Sequence, residues 1–259
     1  MTHDQAIAID HTGREIVLSV LARLTDALGV TEQTSLDGGA ALPLFGVRAP
    51  LEGRRIGEFR IFTRDDGLRL VYSALSVEDF GMDTHQIYAF TPASSAVPHL
   101  FLDTAISPNT DGTFHFGLDL VPRVDLGANL AYSEYVYGPL TAPRAEAIAR
   151  PGVMPVGSLG PLQWSIRSPW MVAAIVDPRD LRSLTDVVDA YTARWTELVG
   201  EGLPPELVAD TAEVDLARRD ARNRAAIFSA RTNPVWGLLD GLVGADSATR
   251  IRDLLTATT

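Results

Sequence analysis

The stretch HLFLDTAISPNTDGTFHFGLDLVPR, residues 99–123, decides how this chain is read. Two largely apolar runs flank SPNTDG, a cluster of turn-forming residues, and the spacing predicts a β-hairpin closed there. Successive strand residues point to opposite faces. Phe114, Phe116, Leu118 and Leu120 therefore share a core face, while His115, Gly117 and Asp119 share the other. With the register that the turn suggests, Asp103 falls opposite or nearly opposite Gly117, between His115 and Asp119 on that second face. A slip of one residue would reverse the arrangement. His115 and Asp119 are too far apart to pair directly, at roughly 13 Å between Cα atoms. Gly117 between them leaves a patch of backbone over which something flat can lie. Two readings stand side by side: polar groups that cap helix ends or hold buried water, or the polar floor of a ligand site. Nothing in the spacing matches a specific metal-ligand pattern.

Working outward, residues 56–105 continue the strand pattern. IGEFRIFTRDDGLRLVYSALSV alternates on either side of Asp65-Asp66-Gly67, and HQIYAFTP reads as a further short strand. Consecutive hairpins predict a mainly antiparallel sheet. Ahead of it, Thr12 and Glu15 form a T-x-x-E capping pattern, and Ile16, Val17, Val20, Leu21 and Leu24 make one helical stripe ending at Gly29. SLDGGAALP lacks the lysine and spacing of a phosphate loop and reads as a connector. After the sheet, a Pro- and Gly-punctuated stretch carries a short helical piece around Arg144–Ala149. LQWSIRSPWMVAAIVD reads as two short strands broken at Ser168-Pro169. Leu181, Leu184, Val187, Val188, Tyr191, Trp195 and Leu198 keep helical spacing from about Pro178, with Gly200 as C-cap. The tail is helical again on both sides of Pro234. A single α/β domain over residues 1–259, a three-layer α/β/α sandwich with a central, mainly antiparallel sheet, buries both sheet faces most simply. The alternative is a division near residue 150.

Composition removes several chemistries. The 259 residues contain no cysteine, and all 22 basic residues are arginine. Thiolate catalysis, cysteine-ligated metal and lysine Schiff bases held by this chain are excluded. A formal charge of −11 argues against general nucleic-acid binding. The opening residues lack the basic and apolar regions of a leader, and no apolar run is long enough to span a membrane. The expectation is a soluble cytoplasmic protein, and the arginine bias suggests a bacterial source.

HLFLDTAISPNTDGTFHFGLDLVPRVDL, WSIRSPWMVAAIV followed by a long helix, and ARRDARNRAAIFSARTNPVWGLLDGLVG together resemble the ferredoxin-dependent bilin reductases, especially their red chlorophyll catabolite reductase branch. The resemblance covers about residues 99–259. It implies an α/β/α sandwich holding a linear tetrapyrrole between the sheet and the C-terminal helices. It also implies reduction with no bound organic cofactor or metal, electrons arriving singly from reduced ferredoxin and side chains supplying protons. Carried onto this sequence, Asp103 and Asp119 match acidic positions of the family and, with His115 on the same strand face, are the catalytic candidates. Asn233 falls where many bilin reductases have an aspartate, and Ser229 near the acidic position of the chlorophyll-catabolite branch. Both are uncharged here, and Asn cannot act as a general acid. Gly117, Arg222 and Trp236 complete the expected substrate contacts.

Arg218, Arg219, Arg222, Arg224 and Arg231 form the densest basic stretch. They read either as an anchor for ligand carboxylates or an acidic ferredoxin, or as a solvated helix face with partners such as Asp215 and Arg219. Tyr132, Tyr135 and Tyr137 fit core packing or a pocket wall. Two functional alternatives remain: a cofactor-independent isomerase or cyclase using Asp103 and His115 as acid and base, and a non-catalytic tetrapyrrole carrier.

Overall fold

A computed structural model describes residues 10–258 except 37, 108–109, 157–158, 212–214 and 234. Helix α1 (Thr12–Leu28) opens the described chain, and its expected stripe from Ile16 to Leu24 is buried. Burying each such side chain is worth about 1.5–3 kcal/mol. The expected Thr12–Glu15 cap does not form. Thr12 is already helical, and its backbone N–H donates to Asp10 Oδ1 at 2.8 Å. An aspartate two residues upstream takes the capping role instead.

Among the described residues, nine strands form one sheet: β1 (Thr31–Gln33), β2 (Leu42–Phe45), β3 (Arg55–Thr63), β4 (Arg69–Val77), β5 (Met82–Phe90), β6 (His99–Ile106), β7 (Phe114–Val121), β8 (Val153–Pro155) and β9 (Val172–Val176). Their order is β1-β3-β4-β5-β6-β7-β9-β8, with β2 also on β3, and every strand pair is antiparallel. The β6–β7 register sets Asp103 opposite Gly117, as the hairpin reading expects. Part of its SPNTDG turn, residues 108–109, lies outside the described residues. The sheet runs on past residue 150, because β8 and β9 join it beside β7.

One face carries α1, α2 (Leu130–Tyr137), α3 (Thr141–Ile148) and α5 (Thr185–Glu201) over a core that includes Leu102, Phe116, Leu118, Tyr191 and Trp195. Tyr132 and Tyr137 belong to this core and donate their hydroxyls to Ala96 O at 2.6 Å and Leu120 O at 3.0 Å. The opposite face meets α7 (Leu216–Ile227), α8 (Val235–Val243) and α9 (Ala245–Thr256) through Tyr88, Phe90, Phe101, Phe228, Trp236 and Ile251. This is the expected three-layer sandwich.

Three local readings are corrected. LQWSI is a turn of helix, α4 (Pro161–Trp164), whose Gln163 side chain accepts from the Gly160 N–H at 2.8 Å; only the second half of that stretch is a strand. Helix α5 runs past Gly200 and stops at Gly202, whose φ of 78° suits glycine. Helix α2 and the short α6 (Pro205–Asp210) went unread, being too short for a clear period. Pro234 lies outside the described residues. Among those described, no helix is long and apolar enough to cross a membrane.

Candidate active site

One rung of the sheet organises the site. Phe59, Ser73, Gln86, Asp103, Gly117 and Ala173 are successive cross-strand partners on β3, β4, β5, β6, β7 and β9. All six line a cavity of about 580 Å³ between the sheet and the α7–α8–α9 layer. The volume suits a small-molecule ligand. Most of the remaining wall is apolar, including Tyr88, Phe101, Ile166, Phe228, Trp236 and Leu239.

Asp103 is the acid of this rung. Its pKa is pushed up to about 6 by burial, against the Gln86 side chain that hydrogen-bonds it and the positive charge of Arg167. Gln86 in turn accepts from the Ser73 hydroxyl at 3.4 Å. Asp103 Oδ1 is buried with no hydrogen-bond partner among the described residues. A carboxyl oxygen left without a partner inside a cavity is costly unless a ligand meets it.

His115 sits on the same face, diagonal to Asp103 across the β6–β7 pair, about 7–8 Å away between Cα atoms. It lines the cavity and is exposed, so it lies at the solvent side. Asp119 is the other diagonal neighbour, but it does not open into the cavity. It is fully buried; one oxygen accepts from the Ser168 N–H at 3.1 Å and the other from the Ser168 hydroxyl. Burial raises its pKa to about 6, opposed by Arg167 and by Ser168. Asp119 thus holds the loop before β9.

Gly117 lines the cavity but is not the bare patch expected. A Cβ there would lie 2.9 Å from Phe101 Cε1, so the missing side chain makes room for the Phe101 ring. On that ring rests the Arg167 guanidinium, 4.2 Å from its centroid. Arg167 also hydrogen-bonds Tyr88, and its Nη1 is buried without a partner among the described residues.

The other candidates divide. Trp236 is a buried cavity wall, with Arg252 4.7 Å from its ring and its indole nitrogen unpartnered among the described residues. Asn233 lines the cavity and accepts from the Val235 N–H at 3.1 Å. Ser229 is not in the wall; its hydroxyl contacts that of Thr232 at 3.0 Å. Arg222 is exposed on α7 and outside the wall. Its neighbour Arg224 is neither a ligand anchor nor a solvated residue: it is buried against Asp220 at 2.9 Å. Asp215 caps α7 by accepting from Arg218 N at 2.9 Å. Among the described residues, no group of three or more His, Asp or Glu side chains is placed to hold a metal ion.

Gln86 and Arg167 were missed. The alternation of HQIYAFTP places Gln86 and Tyr88 on one face, but only strand pairing sets Gln86 beside Asp103. Arg167 stands in an aperiodic loop and carries no sequence signal.

Asp103 and Gln86 on the sheet and Arg167 in the loop before β9 thus converge on a largely apolar cavity. No family model and no curated protein matches the chain. Among solved structures, it is similar to phytochromobilin synthase from tomato, crystallised in complex with biliverdin. The TM-score is 0.70 at 16% identity, over 95% of this chain and 83% of that one. At that identity the likeness establishes a shared fold.

Proposed function

We propose that this protein is a ferredoxin-dependent reductase of an open-chain tetrapyrrole, a bilin or a chlorophyll catabolite, that uses no bound organic cofactor or metal. The observation that carries the reading is Asp103: a carboxyl raised to about 6, with one oxygen unpartnered, on the floor of an apolar cavity. The fold shared with a protein crystallised with biliverdin supports the choice of ligand. An acid with this pKa keeps about a tenth of its population protonated at pH 7, more than an ordinary aspartic acid would, and still gives up its proton readily. Reduced ferredoxin delivers two electrons singly, and two protons accompany them. Asp103 gives its proton to the ligand as the new bond to hydrogen forms. His115, at the solvent side, relays protons from water. Asp119 takes a holding role, and Trp236, Asn233 and Gly117 contact the pigment.

One observation favours a second reading. Only one of the three candidate carboxyl positions, Asp103, offers an acid to the cavity, since Asp119 is locked and residue 233 is Asn. One acid beside one guanidinium suits a cofactor-independent isomerase or cyclase, which would turn over without an electron donor. Anaerobic absorption titration with biliverdin, followed by reduced ferredoxin, separates these. A sharpened or shifted band that converts to a reduced product supports the reductase. Binding with no conversion points to a carrier or isomerase, and absence of binding removes the tetrapyrrole reading.

A further inference from the structure

Arg167 is the only cation among the described residues of the cavity wall, and its environment leaves it incomplete. Its Nη1 is buried and unpartnered, and among the described residues it forms no ion pair. It is nevertheless held firmly. The guanidinium lies 4.2 Å from the centre of the Phe101 ring, and Phe101 can lean there because residue 117 is glycine. The next residue, Ser168, is fastened to Asp119 through both its N–H and its hydroxyl, and the Ser168 oxygen accepts from Trp170 N at 3.1 Å. A half-buried cation is thus pinned, with a buried free donor, beside the acid of the cavity floor.

We propose that Arg167 donates from Nη1 to a carbonyl oxygen of the conjugated ligand beside Asp103, and stabilises the negative charge that gathers there when an electron enters, before Asp103 gives up its proton. This rests on the reductase reading above. Arg167 transfers neither proton nor electron. The one-electron donor is reduced ferredoxin; the carboxyl O–H of Asp103 breaks as the ligand gains hydrogen, and Asp103 is reprotonated from solvent before the next delivery. Asp119 is a positioning residue, because it fixes the loop that presents Arg167.

The position argues for a conjugated oxygen over a ligand carboxylate. Phe101 is two residues from Asp103 on one strand face, about 7 Å along the strand, so the guanidinium lies at floor level, where a flat pigment stacks. Seating a full carboxylate there would bury a second anionic group next to Asp103 and hold both at the expense of desolvation. A carbonyl meets the free N–H without that cost, and gains most from it once charge develops.

The test compares wild type with Arg167→Gln, using biliverdin and biliverdin dimethyl ester as ligands. The expected result is a roughly 10²–10³-fold lower kcat in Arg167→Gln at saturating pigment, the range for losing one charge-stabilising donor. The loss in affinity should be the same for both ligands. Arg167→Lys, which keeps the charge, should retain more of the rate than the Gln variant. The apparent pKa of the kcat profile should rise in Arg167→Gln, because the removed charge holds Asp103 down. A rate within threefold of wild type overturns the inference. So does an affinity difference that vanishes with the ester, which would make Arg167 a carboxylate clamp. If the Gln variant unfolds, Arg167→Met, which keeps the length of the side chain without its charge, decides by the same rate and ester comparison. Wild type that binds neither pigment removes the reductase reading and this inference together; wild type that reduces biliverdin, with Arg167→Gln unchanged, removes this inference alone.

Discussion

Strand β6 carries two polar side chains on the same face four residues apart, His99 and Asp103, and they lead opposite lives. His99 is buried in a network of charged groups away from the cavity. Its Nε2 meets Asp220 Oδ1 at 2.7 Å, while its Nδ1 accepts from the Thr91 N–H at 3.1 Å. That geometry requires a neutral ring, and burial drives the His99 pKa down to about 3. Asp220 also takes Arg224 Nε at 2.9 Å and has Arg123 Nε at 3.4 Å. Arg123 spends its terminal nitrogens on Thr91 and the carbonyls of Pro92 and Ala93, and Arg224 reaches Ala257 O at 2.9 Å. The network ties α7 and the chain end to the sheet. Asp103, also paired with an amide and beside an arginine, keeps an oxygen free, as Arg167 keeps a nitrogen. Buried charge alone therefore does not mark the site. The unmade bonds facing a cavity do.

The comparison is most exposed to a change at Asp220. Asp220→Ala should destabilise the protein by about 3–5 kcal/mol, since Arg123 and Arg224 are left as buried, uncompensated charges. Chemical denaturation measures it, and a loss below about 1 kcal/mol would make the network dispensable. The signs with pH follow. Asp220, lowered to about 2, contributes stability above about pH 4 that is lost as pH falls toward 2. His99, lowered to about 3, likewise withdraws stability between about pH 6.5 and 3, because the unfolded chain takes up the proton first.

At Asp103 the sign reverses. Its folded pKa is raised to about 6, so stability declines as pH rises from about 4 to 6 and stays lower above. Asp103→Asn should cut reduction by about 10²–10⁴-fold. It should also leave the ligand-free protein at pH 8 as stable as wild type or up to roughly 3 kcal/mol more so, a gap that closes below about pH 4. Denaturant melts at both pH values check this. A variant destabilised at pH 8 would place Asp103 among the structural carboxylates with Asp220.

Gly117→Ala probes the floor they share. The added methyl meets the Phe101 ring at 2.9 Å, so the ring and the guanidinium on it must shift. The expected cost is about 1–3 kcal/mol with weaker pigment binding. Unchanged Tm and affinity would show that the ring is free to move. The smallest effect belongs to Arg222→Ala. Exposed and outside the cavity wall, Arg222 should change stability by less than about 0.5 kcal/mol and leave biliverdin affinity unaltered in the same titration. A clear loss of affinity would restore it as a pigment contact.

The amino-acid sequence by itself determined the strand order of the hairpins, the α1 and α5 stripes, the sandwich class and the β6–β7 register, because period-2 and period-3.6 patterns and turn residues are local signals. It also put His115, Gly117 and Asp119 on one face, since alternation is a property of the strand alone; Asp103 joins that face only through the β6–β7 register. Tertiary structure decided the rest. Asp119 and Asp103 are both strand aspartates on that face, and only packing against the Ser168 loop distinguishes the locked one from the open one. Gln86 reaches Asp103 through a pairing between β5 and β6. Arg224 and Arg222 share a helix and a composition, yet one is buried against Asp220 and the other is solvated. Arg167 gains its place from the ring of a residue 66 positions earlier in the sequence. Sequence fixes what each residue can do within its own element; which groups meet, and which are left without a partner, depends on contacts between elements distant in the chain.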